Sequence, residues 1–488
     1  MFTFIAVPLI IAAILPVIGK WSKRVIPDLL SNLTLLFLVC SVFLCPKNIA
    51  PVLRTLNWFG EPIGITTLLD SVSLLMLLLI SVVTLLVNLY SIDYIEQYNE
   101  KSIYYSLILI MVAGMNGIVL STDLFSIYLF IEVAALASYG LVSFGRKQEE
   151  LEGALKYLML SAVASAFILL GIIILFALTG SVSFINVSMS LKTVNTGAFT
   201  LFCISLFIAG FGMKSALVPF HTWLPDAYSA SPATLPALSS GLLIKIAGVY
   251  ALIRIIVNVL GITPAISAIL MYLGIISMIA GALLALGQNN IRRMLGYSSI
   301  SQMGYIMLGF ATGTPIGILG GLFHLINHGI FKSLLFLNAG TIESVTGTKQ
   351  LDKMQGIGNR MPITAVTSTI GALSTAGIPP LNGFWSKLFI IIALVQSGWK
   401  ITAVLAVLAS ILTLWYFLIL QRKTFFCSGS DVWNNVKEPS FWMSFSVIIL
   451  ALLCIISGIF YPVFITGWLN PAANVFSAGT GFLAQVLK

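Results

Sequence analysis

Charged side chains are scarce in this sequence. Only 8% of its 488 residues are Asp, Glu, Lys or Arg, whereas 59% are hydrophobic. A water-soluble surface is usually about a quarter or more charged, so this composition excludes a soluble globular protein. Hydrophobic runs long enough to cross the roughly 30 Å hydrocarbon core of a bilayer recur along the whole chain. Because backbone groups find no water in that core, we predict an all-α integral membrane protein.

Motifs that bind redox cofactors or nucleotides are also missing. The five cysteines form no C-x-x-C pair, which leaves iron–sulfur ligation without support. Neither a G-x-G-x-x-G sequence nor a P-loop is present, and no extramembrane segment is large enough for a nucleotide-binding domain. We therefore expect no cofactor in this chain. Whether it pumps ions for a redox enzyme whose chemistry lies in other subunits stays open at this point.

The hydrophobic runs predict about fourteen transmembrane helices. They are centred near residues 10, 37, 79, 111, 133, 167, 208, 246, 275, 304, 328, 374, 410 and 451. The first run begins at residue 2 without a basic segment before it, so we interpret it as a retained span rather than a signal peptide. With both termini on the outer side, 14 of the 25 Lys and Arg residues lie in inner loops and 5 in outer segments. This bias predicts a multi-pass protein of the cell membrane and explains the net charge of +9 without a nucleic-acid partner.

Two spans are interrupted by proline. The stretches are "GMKSALVPFHTWLPDA" (residues 212 to 227) and "STAGIPPLNGFWSKLF" (residues 374 to 389), about 160 residues and five spans apart. An odd number of spans between equivalent elements gives them opposite orientations, which favours inverted five-helix repeats with two discontinuous helices. Two independent proline kinks are the alternative. The predicted divisions are helices 1–3 in residues 1–99, the first repeat in 100–260, the second repeat in 262–425, and helix 14 with the tail in 426–488.

Isolated charges inside the apolar runs are the candidate functional residues. An ionised side chain at the bilayer centre costs about 2.5 to 3.5 kcal/mol, so each needs a partner or a wet cavity. The isolated charges are Glu132, Lys214, Lys245, Lys332 and Lys387. A carboxylate about 4 Å from a buried lysine stabilises its protonated form by roughly 4 kcal/mol at an effective dielectric near 20. An ion pair between Glu132 and Lys214 that opens and closes would therefore load and unload a proton. Snorkelling of the lysines is the alternative interpretation.

A third polar cluster lies in "GGLFHLINHGIFKSLLFL". His324, His328 and Lys332 are spaced four apart, which places all three on one stripe of a helix. H-x-x-x-H is also the spacing of a zinc or haem pair, but the nearest acidic residue, Glu343, is almost four turns away. Histidine titrates near neutral pH, so the stripe favours a proton relay over a metal site.

Several motifs resemble the antiporter-like family shared by the D subunit of Mrp cation/proton antiporters, the L, M and N subunits of complex I, and the matching subunits of membrane-bound hydrogenases. They are "FGMKSALVPFHTWLPDAYSASPATLPALSSGLLIKIAGVY", "QNNIRRMLGYSSISQMGY", "LFHLINHGIFKSLLFLNAG" and "PPLNGFWSK", and the resemblance covers roughly residues 65 to 425. It implies proton translocation through Glu132, Lys214, Lys245, His324, His328, Lys332 and Lys387. It also implies other antiporter-like and small membrane subunits as partners. H⁺ is the ion implied, and whether Na⁺ moves in this chain as well stays open.

Details of the resemblance favour some members over others. Gln302 stands where many members have histidine, so a titratable group is missing there. Lys387 is unlike the glutamate typical of the M type, and the long lateral helix of the L type is not expected. The motifs are most similar to the D-type chain of Mrp antiporters and its hydrogenase relative. A complex I N-type subunit, a stand-alone solute carrier and a purely structural subunit remain as alternatives.

Overall fold

The computed structural model describes residues 1–19, 25–45, 51–57, 64–98, 100–193, 197–427, 433 and 436–482, and most of them are helical. The α-helices are α1 (Thr3–Gly19), α2 (Val25–Phe43), α3 (Ser71–Tyr94), α4 (Lys101–Leu120), α5 (Leu124–Val142), α6 (Gln148–Thr179), α7 (Phe184–Thr193), α8 (Gly197–Lys214), α9 (Trp223–Ala230), α10 (Thr234–Leu238), α11 (Ala251–Arg254), α12 (Pro264–Leu286), α13 (Ile291–Ala311), α14 (Pro315–Thr346), α15 (Pro362–Ala376), α16 (Asn382–Gln396), α17 (Lys400–Gln421), α18 (Phe441–Ile459), α19 (Tyr461–Phe464) and α20 (Asn470–Ser477). The π-helical segments are Ser239–Tyr250, Ile255–Leu260, Arg422–Phe426 and Ile465–Leu469, and the short 3₁₀ segments are Ile95–Gln97, Leu351–Lys353 and Ile357–Asn359. With its π-helical segments, α10 and α11 form one continuous helix, Thr234–Leu260.

The chain is a multi-pass membrane protein, as predicted. Ten helices among the described residues are long and apolar enough to cross a membrane, and three shorter apolar helices accompany them. The count of fourteen spans stays a prediction, since it would include α1, α13 and the two interrupted helices, which fall short of that criterion. Helix α13 falls short because the arginines and hydroxyl residues of its first half lower its hydropathy.

A short β-hairpin, which the sequence did not predict, lies between α2 and α3. Strands β1 (Val52–Asn57) and β2 (Gly64–Leu69) pair antiparallel, with Val52 opposite Leu69. Asp70 follows β2 and caps α3, its carboxylate accepting a hydrogen bond of 2.8 Å from the backbone N–H of Ser73. The hairpin thus closes one end of the bundle, called here the hairpin face.

The opposite end, called here the charged face, carries most of the ion pairs. Lys101, the first residue of α4, reaches Asp28 at 2.7 Å, and Arg292 at the start of α13 pairs with Glu343 near the end of α14. Lys423 reaches Asp352 at 2.5 Å on the same side. The two ends of the bundle therefore differ strongly in charge.

The most buried spans are α14 and the helix Thr234–Leu260. Helix α14 packs against α13, α15, α16 and α18. Its contact with α13 is made by glycines, because a Cβ on Gly309 would lie 2.8 Å from Cα of Gly321. Such small-residue contacts are the usual way for membrane helices to approach closely. Polar side chains on these helices face protein rather than lipid.

Two helices are interrupted where the sequence predicted them to be. Helix α8 ends at Lys214, and residues 215–222, with Pro219 among them, separate it from α9. Helix α15 ends at Ala376, where Gly377 takes a left-handed conformation with φ +85°, and α16 begins at Asn382. A left-handed glycine is a common helix terminator, and proline cannot supply the next backbone donor. The prediction of two discontinuous helices is confirmed.

Candidate functional site

Glu132 and Lys214 form an ion pair next to the first interruption. The Lys214 ammonium lies 3.4 Å from Oε1 of Glu132 and donates a hydrogen bond of 2.7 Å to the hydroxyl of Ser161. Ser165 donates a short hydrogen bond to the same Glu132 oxygen. The Lys214 side chain is 4% exposed and that of Glu132 is 29% exposed. The pair is therefore loose, lined by hydroxyls, and open on the carboxylate side.

Local structure explains why these groups meet. Lys214 is the last residue of α8, where the final carbonyls have no partner in the helix and favour a cation. Glu132 lies in the middle of α5, and α6 packs against both α5 and α8. Ser161 and Ser165 are one turn apart on α6, so they share a face that points to both charges.

Lys332, His328 and His324 lie on one side of α14, as their spacing predicted. The rings of His324 and His328 have centroids 6.4 Å apart. His324 is held on both sides, by the hydroxyl of Ser386 at 2.9 Å from Nδ1 and by the amide oxygen of Gln302 at 3.2 Å from Nε2. Gln302 thus contacts His324, a candidate residue, although Gln302 itself cannot titrate.

His328 differs from its neighbour because neither ring nitrogen has a hydrogen-bond partner among the described residues. The ring is fully buried and lies close enough to Lys245, Lys332, His324 and Lys387 for electrostatic interaction. A buried imidazole with both nitrogens unbonded needs water or a neighbouring lysine as a partner. His328 therefore lies at the centre of these buried titratable groups.

Lys245 and Lys332 are fully buried beside this ring. The Lys245 ammonium donates a short hydrogen bond to the carbonyl of Ser240, one π-helical turn earlier. Lys332 donates to the hydroxyl of Ser298 at 2.7 Å and to the carbonyl of Leu295 at 3.2 Å. The hydroxyls of Ser240 and Ser299 are 2.8 Å apart, which links the surroundings of the two lysines.

Lys387 lies on α16, just after the second interruption. Its ammonium donates to the carbonyls of Thr375 at 2.8 Å and Ala376 at 3.3 Å, and it lies 4.6 Å from the centre of the Tyr305 ring. Those carbonyls end α15, so the charge occupies the negative end of a half-helix. Lys214 and Lys387 are attached on opposite sides of their interruptions. Lys214 ends the first half-helix α8, whereas Lys387 lies on the second half-helix α16 and reaches back to the end of α15.

The seven candidate residues fall into two groups. Lys245, His328, Lys332, His324 and Lys387 form a continuous set, whereas Glu132 and Lys214 form a pair at its side. The two groups meet where the helix Thr234–Leu260 passes the first interruption, because Gly248 packs against Ser215, the residue after Lys214.

The hydroxyl and amide groups that bind these charges were missed at the level of the sequence. Ser161, Ser298 and Ser386 contact the candidate residues directly, and the side chains of Asn327 and Asn382 bond each other at 3.1 Å beside the second interruption. Among these groups, only the spacing of Ser161 and Ser165, one turn apart on α6, could have indicated a polar helix face in the sequence.

Glu343 and the two histidines, which were considered as metal ligands, lie apart in the structure. Glu343 pairs with Arg292 on the charged face and does not approach the histidines. In the described residues, no three His, Cys, Asp or Glu side chains converge as metal ligands.

The chain is similar to known proteins over most of its length. Residues 121–413 match the family profile "NADH:quinone oxidoreductase/Mrp antiporter, TM", and residues 59–105 match "NADH-Ubiquinone oxidoreductase (complex I), chain 5 N-terminus". The N subunit of the NADH-quinone oxidoreductase of Desulforudis audaxviator is 33% identical over 367 residues, 74% of this chain and 73% of the relative. The D subunit of the Na(+)/H(+) antiporter of Bacillus subtilis is 30% identical over 440 residues, 89% of this chain and 88% of the relative. A chain of the Mrp complex from Dietzia sp. DQ12-45-1b superimposes with a TM-score of 0.91 at 26% identity, covering 99% of this chain and 98% of that chain.

Proposed function

This chain belongs to the NADH:quinone oxidoreductase/Mrp antiporter family of membrane subunits, and from that membership we propose that it translocates protons within a multisubunit complex. The family resemblance seen in its motifs is confirmed by the matches. Transport itself is the proposal, and one observation carries it. A partly open ion pair, Glu132 with Lys214, lies at the end of an interrupted helix and beside a buried row of titratable groups.

The pair works as a switch. When the carboxylate is near, it stabilises the protonated lysine, and when it withdraws, the buried charge is left with a hydroxyl and becomes costly. Lys214 then releases its proton. The hydroxyl of Ser161 accepts from the lysine in the closed pair and keeps it oriented.

The released proton has a row of acceptors to follow. We propose the order Lys214, Lys245, His328 with Lys332, His324 and Lys387. Serine hydroxyls flank the middle of this row, and a hydroxyl both donates and accepts, so it passes a proton without holding charge. Gln302 supplies no proton and instead fixes the orientation of the His324 ring. No cofactor is required for such a relay.

We propose that residues 100–260 and 262–425 are inverted repeats, with 1–99 and 426–488 outside them. The support is the order of elements. In each segment three long helices precede an interrupted helix and one more helix follows it, α4 to Leu260 in the first and α12 to α17 in the second. The first segment also has the ten-residue helix α7 between α6 and α8. We also propose that the charged face is cytoplasmic and both termini lie outside, because Lys and Arg of short loops stay on the cytoplasmic side.

Assembly with other membrane subunits follows from the surface near Glu132. The Glu132 side chain is 29% exposed. Contact of that charged carboxylate with lipid would cost free energy, so a neighbouring polar subunit is expected to cover it. The relatives are named as single subunits of an antiporter and of an oxidoreductase, which supports this proposal. The transported ion in this chain is H⁺, with Na⁺ exchanged by the assembled complex.

A redox-driven pump is the second candidate. The relative at 33% identity is named as part of an NADH-quinone oxidoreductase, which favours this alternative. Proton-movement assays in membrane vesicles distinguish the two candidate functions. Proton movement driven by an imposed Na⁺ gradient without an electron donor supports an antiporter, whereas movement only with a donor supports the redox pump.

The decisive variant is Lys214→Ala in the assembled complex. We expect its proton flux to be abolished while subunit content, measured by immunoblot, is retained. Lys423→Ala is the matched control, because Lys423 is also paired with a carboxylate but lies exposed on the charged face. Normal flux in Lys214→Ala would leave a structural role as the better explanation.

A further inference from the structure

A cluster of buried and half-buried polar groups on the charged face takes no part in the relay described above. Its members, called here the port cluster, are Glu150, Ser231, Arg292, Glu343 and Lys349. Arg292 and Glu343 form an ion pair, and Lys349 lies 3.7 Å from Glu343. Glu150 lies close enough to Lys349 for electrostatic interaction. The cluster therefore joins the start of α6, the start of α13 and the end of α14.

Several polar atoms of this cluster have no hydrogen-bond partner among the described residues. They are Oε2 of Glu150, Oγ of Ser231, Nε and Nη2 of Arg292, and Oε2 of Glu343. The Arg292–Glu343 contact is an ion pair without hydrogen-bond alignment. Glu150 is 2% exposed and Arg292 is 1% exposed, so bulk solvent does not satisfy them. Buried polar atoms without protein partners are the groups that ordered water usually binds.

Polar groups continue from this cluster toward the buried lysines. Arg292 donates to the carbonyl of Ser231, which opens the turn before the helix Thr234–Leu260. One turn further along α13, the carbonyl of Leu295 accepts from Lys332. On α14, the eleven positions from Glu343 to Lys332 span about 16 Å. Within that distance the hydroxyls of Tyr90 and Thr341 are 3.0 Å apart.

We propose that the port cluster is a hydrated proton port, binding water and hydronium and connecting the charged face to Lys332 and Lys245. Glu343 and Glu150 exchange the proton with water, and Arg292 and Lys349 hold the carboxylates in place. The proposal rests on the proton translocation inferred above. It adds the route by which protons reach the buried axis from one side of the membrane.

Thiol labelling tests the port without reference to transport. Ser231→Cys, in the assembled complex in sealed vesicles, is treated with a membrane-impermeant methanethiosulfonate from either side. Ser446→Cys is the matched control, because Ser446 is equally buried and its hydroxyl is also without a partner among the described residues, but it lies on α18 outside the cluster. We expect labelling of Ser231→Cys from the charged face alone and only wild-type background in the control. Failure to label Ser231→Cys would overturn the port and leave the proposed relay untouched.

Flux measurements then test the carboxylates. Glu343→Gln and Glu150→Gln should each lower proton flux by about a hundredfold or more, the usual minimum contribution of a positioned proton-transfer group. Glu343→Gln leaves the buried Arg292 without its ion-pair partner, and this variant could fail to assemble. Glu150→Gln tests the port in that case. Asp352→Asn, an exposed carboxylate on the same face, should leave flux unchanged. Wild-type flux in Glu150→Gln and in assembled Glu343→Gln would refute the port, whereas wild-type flux in Lys214→Ala would refute the relay instead.

Discussion

Replacing Glu132 by glutamine removes the charge beside Lys214 and little else. At 3.4 Å and an effective dielectric near 20, the attraction between the two groups is about 5 kcal/mol. The Glu132 side chain is 29% exposed, so solvent or a polar neighbour screens part of this attraction. We therefore expect the loss of the charge to cost roughly 2 to 3 kcal/mol. That loss shifts the equilibrium between protonated and neutral Lys214 towards the neutral form by a factor of about 30 to 150. The glutamine oxygen still accepts from Ser165, so the helices α5 and α6 keep their contact.

We expect proton flux in Glu132→Gln to fall to a few per cent of wild type, with the complex still assembled. Glu132→Asp keeps the charge but withdraws it from the lysine, and it should retain part of the flux. The assay is proton movement in vesicles containing the complex, normalised to subunit content by immunoblot. Wild-type flux in the glutamine variant would remove Glu132 from the mechanism, and equal losses in Gln and Asp would mean that geometry rather than charge matters.

Three further outcomes are expected. Lys387→Arg should assemble but lose proton flux, because arginine stays charged throughout. Lys387→Glu should retain some flux, because glutamate gains and loses a proton. Normal flux in the arginine variant would mean that Lys387 supplies only a fixed positive charge. Asp70→Asn should lower the amount of assembled complex, since an unpaired buried Arg254 costs about 3 to 5 kcal/mol, and the double variant Asp70→Leu with Arg254→Met should recover part of it. The purified chain in liposomes should show no cation/proton exchange, and robust exchange there would contradict the proposed assembly.

Much of this fold could be predicted because the bilayer permits few alternatives. Apolar runs of sufficient length must be helices, and proline inside a run must interrupt one. The hairpin at Val52–Asn57 and Gly64–Leu69 escaped prediction because it lies outside the hydrocarbon core, where that constraint does not apply. Its strands are short, and alternation over six residues is a weak signal.

The charged members of the site were visible for a related reason. Where so few residues carry charge, a single Glu132 or Lys245 stands out against its surroundings. Their partners were not visible, because a serine in a membrane helix is usually satisfied by its own backbone, as Ser165 is by the carbonyl of Ser161. The pairing of Arg254 with Asp70 joins residues 184 positions apart, and no local pattern predicts it.

The surroundings of the buried lysines explain how such a row of cations is stable at all. Lys245, Lys332 and Lys387 have carbonyl and hydroxyl partners in the described structure, and no carboxylate there pairs with them. A neutral amine donates two hydrogen bonds and an ammonium three, and Lys387 has two carbonyls within reach. Either protonation state of Lys387 therefore finds its donors largely satisfied, whereas two neighbouring ammonium groups would repel each other in a low-dielectric interior. In the proposed relay, protons would then pass along the row one after another, each arrival favouring the next departure.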